Sequence, residues 1–558
     1  MQNASSCPDE TSSSSDGSAS FVDRAMAWLM VSERESRWIR WGLVFFAGVY
    51  LACLAKFQVG PNNRWGWDTL MLLDGGWRIL NGQIPHRDFY LALGPLEDML
   101  VAFGMLLAGG TPQGIGIGNA IFGLTVGIWG WILSRSRMPA VPAMLLTAWL
   151  ILIATSPTPL GVHSDVLSAA MIYNRHGYGL LGIVLVECAF SSERSRFWGG
   201  FSTGVALTLL AFLKLNYFGV GALLLIATAP SSRKEMWRAG GVLAGIAATF
   251  AVFSMYLRFA IPAFLADMAF VLQAHGSSSM LRSILSESAA NAELVSLAIF
   301  TVVTAYLVTK GKLWKLHRVR LCLLGCIVIG SGILFRRTNG ADLGDLLPSL
   351  WTVVLISMLL AAYQQRNKEK MAVFVLVTVA LGGTVSQFVT GAQSMRTLLT
   401  YSLPATRAKG VTPAVNGLGS LRFYDAHYAP GVWTGDSGHL YVATLNDGLA
   451  LLENSSTQSE SVMTLGMQNP FSYLLRRRPA LGGSPWLYLD NNLSREHKLE
   501  ASRVFGDAAL IMVPDAEKEF GSASQNDIFL QQAYQPYLLQ HFTLVARSQW
   551  WSLYRRNQ

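Results

Sequence analysis

The sequence predicts a polytopic α-helical membrane protein of about 11–13 transmembrane helices, followed by a C-terminal soluble α/β domain. Three observations carry this. The chain is 51% hydrophobic and only 14% charged, whereas soluble domains average about a quarter charged residues. Its apolar residues arrive in runs of about 12 to 20, separated by short basic connectors. Beyond Gln393 the texture changes, and about 165 residues return to ordinary polarity. A soluble multi-domain enzyme is excluded.

The net charge of +9 does not point to nucleic acid, because the Lys and Arg residues cluster between apolar runs, as positive-inside anchoring requires. Four of the five cysteines, Cys53, Cys188, Cys322 and Cys326, lie in apolar runs, and Cys7 is in the N-terminal tail. The polar C-terminal part has none, so neither a disulfide framework nor a zinc site is indicated.

Residues 1–37 read as a disordered cytoplasmic tail, Ser-rich and without the apolar core of a signal peptide. Residues 38–392 form the membrane domain, beginning with Trp41–Ala55 behind Arg34, Arg37 and Arg40. Eleven more runs follow: Met99–Ala108, Ile115–Leu133, Val141–Ala154, Gly177–Phe190, Phe201–Leu213, Phe218–Ala227, Gly240–Leu257, Leu294–Val308, Leu321–Phe335, Leu350–Ala362 and Met371–Val389. Basic connectors at Arg194/Arg196, Arg233/Lys234/Arg238, Lys310 to Arg320 and Arg366/Lys368/Lys370 ask to be cytoplasmic. An inside start and an outside end need an odd number of crossings, and Met99–Ala108 is shorter than the roughly 17 residues a span requires. Residues 393–558 form an external, periplasmic α/β domain, with a turn at Asn446-Asp447-Gly448 and strands near Ser461–Leu465 and Ala508–Val513.

Chemistry concentrates in the first external loop, residues 58–95, where Asp68, Asp74 and Asp88 lie with Arg64, Arg78, Arg87 and His86 among tryptophans and glycines. Carboxylates beside cations at a membrane surface can deprotonate a hydroxyl, hold a metal or bind a sugar, and aromatic rings offer stacking faces for sugars. The same composition also suits an interfacial helix with aromatic anchors and solvated salt bridges.

Asp68, then Ile79-Leu80-Asn81-Gly82, then Pro85-His86-Arg87-Asp88-Phe89-Tyr90, then Gly94-Pro95 resembles the GT-C superfamily. These are membrane glycosyltransferases that use polyprenyl-phosphate sugars and include protein mannosyltransferases and aminoarabinose transferases. Leu213-Lys214-Leu215-Asn216, and Ser156-Pro157 followed by Asp165, resemble further steps of the same pattern, which spans roughly Trp41 to Gly221. The resemblance implies that Asp68 is the catalytic aspartate. Many members carry two adjacent acidic residues there, whereas Asp68 is flanked by Trp67 and Thr69. Asp74, Asp88 and Asp165 therefore stay open as the second carboxylate.

Ionisable groups within apolar stretches are functional by default, because burial there is costly. Lys214 and the Arg175-His176 pair, with Arg87 of the first loop, are candidates to hold the departing lipid phosphate. A snorkelling lysine and an interfacial arginine are the plainer readings.

The expected activity is inverting transfer of a sugar from a polyprenyl phosphate to a glycan, lipid or protein acceptor in the cell envelope. The protein would sit in a bacterial inner (plasma) membrane, in contact with membrane lipid and not with nucleic acid. No cofactor is identified, and a divalent metal bridging the carboxylates stays open. The rival reading is a non-enzymatic lipid or polysaccharide transporter or an assembly scaffold. No symmetry between halves favours a transporter.

Overall fold

The structure is a computed structural model that describes residues 21–31, 37–59, 61–158, 164–190, 196–229, 233–274, 292–308, 315–338, 346–363, 370–425, 437–518 and 522–557. The Ser-rich tail through residue 20 and the connector residues Arg194, Lys310, Lys312, Arg366 and Lys368 lie outside them.

All twelve apolar runs are helical. In chain order they fall on α2 (Arg37–Phe57), α4 (Leu96–Leu107), α5 (Gln113–Ser134), α6 (Ala140–Thr155), α7 (Ile172–Ala189), α8 (Arg196–Ala211), α9 (Leu215–Ala227), α10 (Arg233–Tyr256), α12 (Ala292–Val308), α13 (Lys315–Thr338), α14 (Leu346–Tyr363) and α15 (Lys370–Ser402). The short α1 (Phe21–Leu29) precedes them, and α3 (Gly66–Leu80) lies in the first loop. Among the described residues four helices are long and apolar enough to cross a membrane alone, those over Arg37–Phe57, Gln113–Ser134, Glu235–Tyr256 and His317–Phe335, and several shorter apolar helices accompany them. The protein is a polytopic helical membrane protein with a small C-terminal sheet.

Two helices were not read from the sequence: α1 (Phe21–Leu29), which lies within the stretch read as a disordered tail and is ordered by burying Met26 and Leu29, and α11 (Ile261–Ala274), 14 residues interrupted by Asp267. With 12 residues, α4 is about 18 Å long at 1.5 Å per residue, too short for a hydrocarbon core of about 30 Å. It packs on α3 and α5. The main apolar core of the bundle is centred on α6, α7 and α14, with Leu150, Ile153, Leu181, Val184, Leu350 and Trp351 wholly buried, and a smaller cluster gathers Met26, Ile39, Ile356, Leu359 and Val373.

The α15 helix continues through Gln393 to Ser402 and is followed by the short α16 (Pro404–Arg407) and β2 (Arg422–Phe423). The C-terminal region holds a four-stranded sheet in the order β3 (Val462–Thr464), β4 (Leu510–Pro514), β6 (Trp551–Arg556), β5 (Phe542–Arg547). The first pair is parallel and the other two antiparallel. Helices α17 (Gly438–Ser455), α18 (Phe471–Leu474), α19 (Ala501–Phe505) and α20 (Ser522–His541) complete it.

Asn446-Asp447-Gly448, read as a turn, lies inside α17. Tertiary contacts override local propensity here: the Asp447 carboxylate accepts bonds from Ser548 and the Trp550 amide at 2.6 and 2.8 Å, and a side chain on Gly448 would meet Phe471 and Trp551. The β3 strand falls within its expected stretch and β4 overlaps its own, ending one residue later at Pro514, while β5 and β6 were not anticipated.

This region does not stand apart from the first loop. Strand β1 (Pro61–Asn62) pairs in parallel with β2, and Trp67, Leu70 and Leu73 of α3 share a core with Leu445, Phe471, Leu510 and Leu553. The Arg476-Arg477-Arg478 run is used for the same joint. Arg476 lies over the rings of Trp77 and Tyr473 and donates to the Gly110 carbonyl at 2.5 Å.

Candidate active site

Local backbone chemistry explains the first-loop motifs. Gly82 has φ of +82° and ends α3 in the left-handed conformation that glycine adopts without strain. Its amide donates to Ile79 O at 2.9 Å and that of Gln83 to Arg78 O at 3.1 Å. In Pro85-His86-Arg87-Asp88 the Asp88 carboxylate closes the turn on the Ile84 amide at 2.7 Å. Gly94 lies directly against the backbone of Phe212, where a side chain would collide. Its amide donates to Leu213 O at 3.0 Å, so the Gly-Pro step is seated on the α8–α9 break that holds Lys214.

Between the first loop and the C-terminal region lies a cavity of about 310 Å³. Its carboxylates are Asp68, Glu97 and Asp98, and its aromatic walls are Trp65, Trp67 and Tyr173 from the membrane domain and Trp486 and Tyr488 from the C-terminal region. Asp68 stands in the first turn of α3 and is partly exposed to this space. The helix begins at Trp65, whose φ of +50° is an uncommon conformation for a bulky residue and turns its ring into the cavity wall.

Burial pushes the Asp68 carboxyl up to about 7, against the opposing effects of a hydrogen bond from Trp67 and the positive charge of Arg175. A carboxyl near 7 suits a general base at neutral pH.

The other first-loop carboxylates are differently placed. Asp74 does not line the cavity. It is fully buried in an ion pair with Arg78 at 2.8 Å and accepts from Asn469 at 3.3 Å. Arg78 in turn donates to the carbonyls of Ala480 and Gly482 at 3.0 and 2.9 Å, so the pair fastens α3 to the C-terminal region. Asp88 is engaged by its exposed neighbour Arg87, with both contacts at 2.7 Å. Burial pushes its carboxyl up, but Arg87 and the Ile84 amide together hold it below the usual value. Asp165 lies on the second loop, where Asn63 donates to its backbone carbonyl at 2.6 Å.

Of the proposed phosphate-binding groups, Lys214 stands behind one wall of the cavity. Its ammonium is 5.2 Å from the centre of the Tyr173 ring and 3.1 Å from Asn174 Oδ1. Arg175 is fully buried and donates to the carbonyls of Ser156, Ser168 and Ala170, which ties down the second loop. His176 is buried between Glu97 Oε2 at 2.7 Å and Asn119 Oδ1 at 3.0 Å, so it holds a cavity carboxylate in place from behind.

Glu97 and Asp98 were missed. They lie between the Gly94-Pro95 step and the Met99–Ala108 run, and adjacent acidic residues in the first turn of a helix were the available signal. Among the described residues no three His, Cys, Asp or Glu side chains gather as a metal site.

No known family's sequence profile and no curated protein matches the chain. Among solved structures it is similar to ArnT from Cupriavidus metallidurans. In the apo state the identity is 12% and the TM-score 0.39; bound to undecaprenyl phosphate, 14% and 0.43. Each match spans 92% of this chain and 97% of the other. At these scores the backbones differ substantially.

Proposed function

We propose that the chain is a membrane glycosyltransferase that moves one sugar from a polyprenyl-phosphate donor to a hydroxyl of a glycolipid, polysaccharide or protein acceptor at the outer membrane face. The observation that carries this reading is Asp68, a carboxyl near 7 lining an aromatic-walled cavity between the first loop and the C-terminal region. Aromatic faces stack on sugar rings, and Lys214 stands one side chain back, behind Tyr173.

In the proposed step the acceptor oxygen attacks the anomeric carbon in line. Its proton passes to the Asp68 carboxylate. The bond from the anomeric carbon to the phosphate oxygen breaks, and its electron pair leaves with the polyprenyl phosphate. A phosphate dianion needs no general acid, so one base suffices, and displacement from the opposite face inverts the anomeric centre. Lys214 supplies positive charge where negative charge gathers. Asp74, Asp88, Arg87 and Arg175 act in this reading by holding the cavity walls, and Asp165 by its place in the second loop.

For topology the reading keeps α4 and α11 on the outer face, which leaves eleven of the twelve runs as crossings. The contact of Asp267 on α11 with first-loop His86, at 2.9 Å, supports this. The N-terminus is then cytoplasmic and the C-terminal region periplasmic, in a bacterial inner membrane. Alkaline phosphatase fused at Asp490 should be active there, and an inactive fusion with a bright green fluorescent protein at the same site would overturn the orientation. Purified protein in nanodiscs, given radiolabelled polyprenyl-phosphate sugars and envelope extract, should transfer label to acceptor. Absence of transfer across the donor panel, with folded protein, would overturn the enzyme reading.

A further inference from the structure

A second cavity, of about 490 Å³, opens at the other end of the helices. It is walled by the last turns of α7 and α9 and the first turns of α8, α10 and α13. These ends carry the basic connectors. Tyr173 and Lys214, beside the first cavity, are at the opposite ends of α7 and α8, so the two cavities face opposite sides of the membrane.

Four guanidinium groups, of Arg137, Arg196, Arg238 and Arg320, line the space against two carboxylates, of Glu187 and Glu235. Three of these guanidinium groups are set in position by contacts to the protein. Arg137 pairs with Glu187 at 2.9 Å, both nearly buried. Arg238 donates to the Glu187 carbonyl at 3.1 Å. Arg320 donates to the Ala229 carbonyl at 2.7 Å and lies 3.4 Å from Glu235. The surplus of positive charge in a largely apolar recess favours an anion.

Apart from Cys188, Phe190, Thr228 and His317, the rest of the wall is largely aliphatic and runs outward. Ile226 and Leu243 line the cavity and are each 67% exposed on the surface a bilayer would cover. A free anion has no use for an aliphatic flank, and a hydrocarbon chain has none for guanidinium groups. A phosphate-headed amphiphile uses both, and the planar guanidinium fork matches phosphate oxygens.

We propose that this cavity holds an anionic phospholipid from the leaflet opposite the Asp68 site, with its phosphate among Arg196, Arg238 and Arg320 and an acyl chain along Ile226 and Leu243. The assignment does not depend on what Asp68 does.

The test is native mass spectrometry of the full chain released from nanodiscs of phosphatidylcholine doped with phosphatidylglycerol. Wild type should retain phosphatidylglycerol about tenfold over phosphatidylcholine, and Arg238→Gln and Arg320→Gln should each reduce retention about fivefold. Ile226→Trp should also reduce it by obstructing the chain, while Arg495→Gln in the C-terminal region should not. Equal retention of the two lipids, or unchanged retention in both arginine variants, would overturn the proposal. So would displacement by millimolar inorganic phosphate with no effect of Ile226→Trp, which would mark a soluble-anion site. Should Arg238→Gln not fold, Arg320→Gln decides, because Arg320 is partly exposed at the rim.

Discussion

The two aspartates of α3 sit six residues apart in different worlds. Asp68, in the first turn, faces a cavity and carries the cost of desolvation with Arg175 acting only at a distance. Asp74, nearly two turns on, is buried more completely, yet its charge is met by Arg78 and Asn469. Burial raises both carboxyls, but at Asp74 the ion pair with Arg78 makes a joint of it, whereas at Asp68, opposed by the Trp67 hydrogen bond and the charge of Arg175, it leaves a carboxyl whose proton is exchangeable near neutral pH.

Exchanging the roles of the two residues should fail in opposite ways. Asp68→Asn keeps the size and most of the hydrogen bonding of the side chain but cannot take a proton. Turnover at saturating donor should fall by about 10² to 10⁴-fold, with expression and melting temperature maintained. A variant as active as wild type would remove Asp68 from the mechanism. Arg78→Met should do the reverse, leaving Asp74 buried and unpaired at a cost of about 3–5 kcal/mol, read as lost thermal stability of the detergent-solubilised protein.

A smaller effect is expected at Lys214. Lys214→Met should reduce donor use about tenfold by removing positive charge near the departing phosphate, and Arg should rescue only part because its charge is spread over a larger, planar group. Donor kinetics identical to wild type would return Lys214 to a snorkelling role.

The pH dependence separates the two aspartates further. With Asp68 as base, kcat/KM should rise through a midpoint of about 7 rather than near 4. The sign for stability is opposite. A carboxyl raised in the folded state favours folding while protonated, so this contribution is present below its ordinary 3.8 and is lost as pH climbs through about 7. Asp68→Asn should remove the kcat/KM limb and lessen the stability slope, to which the raised carboxyls of Asp74 and Asp98 also contribute, and a kcat/KM profile unchanged by the substitution would assign the limb to another group.

The smallest effect belongs to the half-exposed Arg87–Asp88 contact. Asp88→Asn should cost no more than about 1 kcal/mol of stability, with turnover close to wild type.

Much of the membrane fold was legible because bilayer thickness imposes a length on apolar runs, and all twelve runs are helices. The α11 helix escaped because Asp267 breaks its apolar stretch, and that aspartate is used, against His86 and Arg503. The turn expected at Asn446-Asp447-Gly448 is helix because its partners, Ser548 and Trp550, are a hundred residues away. At the site, the resemblance pointed to Asp68 and left Asp74 open as a second carboxylate. Only the fold shows what Asp74 does, since Asn469 and the carbonyls of Ala480 and Gly482 come from the far end of the chain. Glu97 and Asp98 fell in the gap between a motif and an apolar run.

The pairing of β1 with β2 joins residues 61–62 to 422–423, and this gives the cavity a schedule. A ribosome working at about 5–20 residues per second needs roughly 20 to 70 seconds between these segments. Through that interval the first loop is already beyond the first membrane helix, with Asp74 and Arg78 lacking their C-terminal partners and the wall of Trp486 and Tyr488 not yet made. Asp68 therefore acquires its enclosure last. A chain ended at Ser402 should insert into the membrane yet leave α3 open to added protease, while the full chain protects it.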